Sequence, residues 1–165
     1  MGQLEPLDAL DFQSSKRAQD AAVRLICMCS VVLPSDKNLR TLVEDQVVVE
    51  MLELGFHGRR FLERRASVSA SIGDNALWPC STATGNGESL KDVFGKIIHA
   101  KSIIVGWENV TDFDQTLYPG RSPNFAGSIT VVSDKASERY PIGGIVTAYI
   151  HAMNTSQSAA HKGTT

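Results

Sequence analysis

The stretch Glu88-Ser89-Leu90-Lys91-Asp92-Val93-Phe94-Gly95-Lys96-Ile97-Ile98-His99-Ala100 constrains the fold more than any other part of this chain. Leu90, Val93, Phe94, Ile97 and Ile98 recur at helical spacing and make one apolar face. Ser89 followed by Asp92 has the form of a helix N-cap with an acidic residue at the third helical position. Ahead of this segment the apolar residues keep a helical period; behind it short β-branched runs take over. The segment therefore marks a junction. The chain reads as α+β, with N-terminal helices packed against a small antiparallel sheet or hairpin and a C-terminal helix.

On the helical side, Ser15 to about Val32 reads as one helix, with Ala21, Ala22, Leu25, Ile26 and Cys29 as its apolar stripe and Pro34 as its stop. Residues 1–13, acidic at Glu5, Asp8 and Asp11, read as a partly ordered lead-in. A longer helix is expected from Ser35-Asp36 to about Arg65. Leu39, Leu42, Val43, Val47, Met51, Leu52 and Leu54 carry its period through the strand-like triplet Val47-Val48-Val49. Gly55 and Gly58 either end that helix or are weak points inside it, since glycine costs about 1 kcal/mol against alanine. An exposed apolar face on this helix would point to a homodimer.

On the sheet side, Ile103–Trp107 and Ser128–Ser133 read as strands, Asp134–Ser137 as a turn, Glu138–Ile142 as the partner strand, and Gly143 onward as the last helix. Residues 66–88 and 109–127 read as long loops, with Leu77 and Trp78 pinning the first; Trp78 and Trp107 read as core anchors. Residues 1–154 are expected to form one domain and 155–165 a disordered tail.

Charge and composition narrow the function classes. With 16 basic against 18 acidic residues the net charge is −2, which gives no global argument for nucleic acid or an anionic membrane. No apolar run approaches the roughly 20 residues that span a bilayer. The N-terminus reads as neither a secretory signal nor, with Pro6 in place of Ser or Thr, a myristoylation site. Three cysteines, Cys27, Cys29 and Cys80, fit free thiols in a reducing cytoplasm.

Four groups of residues carry possible chemistry. Lys91, Gly95 and His99 fall at spacing four on one stripe, so His99 is a candidate proton-transfer group with Lys91 beside it; a histidine in a last turn also has an ordinary explanation in capping carbonyls. His57, Arg59, Arg60, Arg64 and Arg65 form a basic cluster that could hold phosphates, or equally a solvated helix end. Glu50, Glu53 and His57 share a face that could reach a metal with His99 or His151, but there is no paired motif, and a solvated acidic face is the plainer reading. Cys27 and Cys29, two apart on a helix, point to different sides and do not read as a zinc pair. No phosphate-binding loop, dinucleotide fingerprint or nucleophile elbow occurs, and neither cofactor nor metal is expected.

The residues Ser89 to Ala100 resemble a motif in small uncharacterised bacterial proteins that commonly reads Ser-Leu-Arg-Glu-Ala-Cys-Asn-Lys-Ile-Ile-His-Ala. There two long helices precede the motif, and a β-hairpin with a closing helix follows it. The helical pair and the arginine-and-histidine segment are also distantly similar to HEPN-type proteins, many of which are ribonucleases or parts of toxin–antitoxin and phage-defence systems. Lys91 stands at the motif's arginine and Gly95 at its asparagine. Neither His57 nor His99 has an arginine four to six residues upstream, the HEPN hallmark, so the resemblance implies an altered nuclease site. The reading is a non-catalytic cytoplasmic binding or interaction protein of bacterial or phage origin, with a protein or RNA partner. The alternative is a HEPN-like ribonuclease using His99 and Lys91 with Arg60 and Arg64 on the backbone.

Overall fold

The structure, a computed structural model, describes residues 6–30, 37–65, 68–72, 87–109 and 124–162. Its elements are α1 (Pro6–Cys29), α2 (Lys37–Arg64), α3 (Leu90–Ile98), β1 (Ser102–Asn109), β2 (Asn124–Val132), β3 (Ser137–Pro141) and α4 (Ile142–Lys162). The architecture is α+β, with the helices of the first half, an antiparallel sheet and a closing helix.

α1 and α2 run antiparallel. Arg24 meets Glu50, Ser14 meets His57 and Asp11 meets Arg64, so advancing along one helix retreats along the other. α1 begins at Pro6, within the stretch read as a lead-in. Proline suits the first helical position, where no N–H is needed. Asp11 then ties the helix to Arg60 and Arg64, partners too distant in sequence to show in a local pattern. α2 passes unbroken through Gly55 and Gly58. Both glycines are close-approach points. A Cβ on Gly55 would lie 3.1 Å from Ile97 Cγ2, and one on Gly58 would lie 2.6 Å from Phe94 Cε2. The missing side chains let α3 sink its apolar face onto α2.

Ser89 occupies the N-cap position of α3 with extended backbone, but its side chain makes no capping hydrogen bond. Instead it pairs in an isolated bridge with Ser71, and the backbone around it is zipped: Ile72 N–H to Glu88 O (2.9 Å), Gly87 N–H to Ile72 O (2.7 Å) and Leu90 N–H to Ala70 O (2.9 Å). Gly87, at φ 84°, makes the left-handed turn that this closure requires. Leu77, Trp78 and Cys80 lie outside the described residues.

The sheet order is β1-β2-β3, antiparallel throughout. Pairing of Val105 with Ile129 and of Ile129 with Tyr140 puts all three on the core face. β2 starts at Asn124, inside the expected 109–127 loop, because pairing resumes beyond a bulge at Gly106/Trp107 and continues to Asn109↔Asn124. Trp107 is half-buried. Its indole donates to Glu44 of α2 (2.6 Å), and Arg40 stacks 5.2 Å from its ring centre.

α4 lays Ile142, Ile145, Tyr149 and Ala152 into the core, where Tyr149 meets Phe61 and Phe94 edge-on. The helix runs on through the segment read as a disordered tail, to Lys162. Thr155 Oγ1 donates to His151 O (2.9 Å) and Ser156 Oγ to Met153 O (2.8 Å), while Arg65, just past the end of α2, reaches Ser156. One apolar cluster joins residues of all four helices and the strands.

Candidate functional site

With Leu90, Val93, Phe94 and Ile97 buried, α3 turns Lys91, Gly95 and His99 toward the opposite side. That stripe lines an open groove of about 560 Å³, which Arg59, Glu88, Asp92, Lys96 and Ser133 also line. Arg59 arrives from α2 and lies over Gly95: a Cβ there would be 2.9 Å from Arg59 Nη1. Its Nε donates to Glu63 (2.8 Å), and the side chain lines the groove. His99 follows the last turn of α3, with its backbone N–H bonded to Gly95 O (3.2 Å) and its side chain exposed. The fold therefore gathers three of the residues singled out in the sequence: His99, Lys91 and Arg59.

Lys96 and Glu88 of the groove wall belong to a network that no local pattern showed. Lys96 Nζ pairs with Glu88 and with Glu138 (2.7 Å) and lies 3.2 Å from Tyr140 Oη. Tyr140 Oη lies 2.8 Å from Glu88 and 2.7 Å from Glu138. Burial opposes the charge on Lys96, but the bonds to Glu138, Glu88 and Tyr140 more than offset it, and its pKa is raised. Burial, reinforced by Glu138 and Glu88, pushes the Tyr140 phenol up as well. Lys96 first, then Tyr140, holds the Glu138 carboxyl below its ordinary range. Lysine and tyrosine thus both keep their protons. Glu138 and Tyr140 share a face of β3 by alternation, but only docking of the sheet on α3 brings Lys96 and Glu88 to them.

The other basic residues go elsewhere. His57 is buried between α1 and α2, with Nδ1 3.2 Å from Ser14 Oγ and Nε2 3.2 Å from Glu53. The Ser14–His57–Glu53 chain has the residue types of a nucleophilic relay, but Ser14 is itself buried in the helix seam, where no substrate reaches it. Burial pushes the His57 pKa below the ordinary 6.5; Glu53 pulls it back and Arg17 and Arg60 add to the lowering. Arg60 sits 3.7 Å from Asp11, and Arg64 pairs with the same carboxylate. Arg65 lies over the Phe61 ring at 4.7 Å and donates to Ser156 (2.8 Å). Helical rotation explains the split: 57, 60 and 64 face α1, while 59 points across to α3. Of His57, Arg59, Arg60, Arg64 and Arg65, the groove with Lys91 and His99 is lined by Arg59.

Glu50, the metal candidate's first carboxylate, already accepts from Arg24 (2.6 Å) and Gln46 (2.7 Å). Among the described residues no group of three His, Cys, Asp or Glu is placed to hold a metal. Cys27 is exposed, while burial pushes the Cys29 thiol up to about 12.

A second surface lies on α2. Leu42, Val49, Leu52 and Phe56 are 68%, 52%, 41% and 58% exposed. Their spacings of seven, three and four put them on one stripe, facing away from buried Val47, Met51, Leu54 and Gly58.

No protein-family model, curated protein or solved structure matches this chain. No described helix is long and apolar enough to cross a membrane.

Proposed function

We propose that the chain is a non-catalytic binding protein that assembles with a second copy of itself along the exposed stripe of α2. The observation that carries this is the row Leu42, Val49, Leu52 and Phe56 on the solvent side of a helix whose opposite face already fills the core. An apolar row repeating at three, four and seven residues is the pattern that a partner helix covers. The same row suits a twofold pair, because one patch serves both copies.

Binding is favoured over turnover by the state of the groove. Lys96 and Tyr140 hold their protons in a closed network, and among the described residues His99 is the one imidazole lining the groove. Acid–base cleavage of a phosphodiester takes one proton and gives another, two roles that His99 alone would have to fill here. A reducing compartment suits the unbridged Cys27 and Cys29, and a bacterial or phage-defence setting rests on the resemblance of Ser89–Ala100. Incubation with single-stranded and structured RNA tests this side: no cleavage is expected.

The second reading is action on RNA, and the gathering of His99, Lys91 and Arg59 favours it. His99 would move the proton, and Lys91 and Arg59 would take the phosphate, with Arg59 replacing Arg60 and Arg64. RNA cleavage by the wild-type chain that His99→Ala abolishes, with an unchanged thermal melt, selects this reading and overturns the first.

A further inference from the structure

We propose that the Lys91–Gly95–His99 wall, with Arg59 laid across Gly95, is a binding site for a phosphate group carried on a small organic body of mononucleotide size. The site is separate from the α2 stripe and does not depend on dimer formation.

The argument begins at Gly95. Any side chain there would occupy the place of the Arg59 guanidinium, whose Nη1 lies 2.9 Å from the Cβ position. A bare helix position leaves room for the Arg59 guanidinium on a stripe that carries Lys91 one turn before and His99 one turn after. Lys91, Arg59 and His99 line the same groove. Guanidinium and ammonium together are a recurrent phosphate clamp, the first as a planar fork and the second as a point charge.

Carboxylates in the groove must be weighed against this. Arg59, Lys91 and Lys96 line it as cations and Glu88 and Asp92 as carboxylates; Lys96 is spent on Glu88 and Glu138, which leaves Arg59 and Lys91 against Asp92 before His99 is counted. Glu88 is already occupied by Lys96 and Tyr140. Glu63 takes the Nε edge of Arg59, fixing the guanidinium's orientation and leaving its other donors unengaged by Glu63. The C-terminal end of α3 disfavours an anion near His99 and Gly95, but that field fades within the last turn, and Lys91 lies upstream of it. The volume of about 560 Å³ exceeds what a lone phosphate fills and lies within the ordinary range for small-molecule sites.

NMR titration of the full chain with inorganic phosphate, adenosine monophosphate and adenosine tests the proposal. Expected are saturable shifts of the Gly95 and His99 amide signals with phosphate, tighter binding of adenosine monophosphate, and no shift with adenosine. Gly95→Ala is the decisive variant, because it favours the helix while evicting the guanidinium; it and Arg59→Gln should each weaken binding at least about tenfold. Arg60→Gln, whose cation faces α1, should bind as wild type. Leu52→Glu should bind as wild type too, so the site stands or falls apart from the dimer. Absence of saturable shifts, or wild-type affinity in both Gly95→Ala and Arg59→Gln, overturns the site. Equal affinity for phosphate and adenosine monophosphate overturns the organic body.

Discussion

Two glycines on opposite sides of the α2–α3 contact, Gly58 and Gly95, should respond oppositely to a methyl group. Gly58→Ala gains about 1 kcal/mol of helix propensity. It also drives a Cβ to within 2.6 Å of the buried Phe94 ring, overpacking that costs about 1–3 kcal/mol. The second effect wins, and urea denaturation should show a loss of up to ~2 kcal/mol. At Gly95 the neighbour is the far end of the Arg59 side chain, which can swing away. Gly95→Ala should therefore leave stability unchanged or raise it by up to about 1 kcal/mol. A Gly58→Ala protein more stable than Gly95→Ala would contradict the close packing of α2 on α3.

His57 makes a pH prediction. Its folded pKa lies below the unfolded 6.5, because burial disfavours the imidazolium. Between those two values the unfolded chain binds the proton and the folded chain does not, so stability rises with pH across that window. The full contribution is present above 6.5 and is lost as pH falls through the folded value. Ser14, Glu53, Arg17 and Arg60 surround the ring, and Phe56 meets it edge-on. The melting temperature should fall from about pH 7 to about pH 5.5, and His57→Gln should flatten that slope. An identical slope in the variant would remove His57 as its source.

At the scale of elements, the Lys96–Tyr140 network fastens α3 to β3. Tyr140→Phe removes a hydroxyl that lies between an ammonium and two carboxylates, and should cost about 1.5–3 kcal/mol. Chemical denaturation checks this, and a loss below ~0.5 kcal/mol would mean that the charged groups hold one another without it. Glu138 adds an acid-side signature: its depressed pKa contributes stability that is present above 4.5 and lost as pH falls through the folded value.

The elements differ in how legible they were. α2 could be read almost to its ends, because its apolar period runs through Val47–Val49 and past both glycines. The start of α1 could not, because Asp11 finds its partners on another helix. The end of α4 looked like a polar tail because Ser156 and Thr155 spend their hydroxyls on the helix's own carbonyls. The spacing of Lys91, Gly95 and His99 was visible in the chain. Arg59's place above them was not, because it depends on two glycines of α2 letting α3 approach.

For the whole molecule, α+β could be read from the change of period at α3, and among the described residues the four helices and antiparallel sheet follow that plan. The distribution of charge over the assembled surface could not be read, because it is set by which cations the fold consumes. Arg60, Arg64 and Arg65 fasten helices together; Arg59 and Lys91 remain at a groove. What the assembled fold also leaves outside is the α2 row. Covering it in a twofold pair would bury eight side chains on the order of 1 kcal/mol each, against an association cost of at least about 4 kcal/mol. That balance describes a weak, concentration-dependent dimer. Sedimentation velocity over a concentration series, comparing wild type with a Leu52→Glu, Phe56→Glu double variant, tests it directly. The account predicts a dimer fraction that grows with wild-type concentration and a variant that stays monomeric with an unchanged melt. A wild-type chain that remains monomeric at every concentration, or a variant that associates equally well, would contradict it.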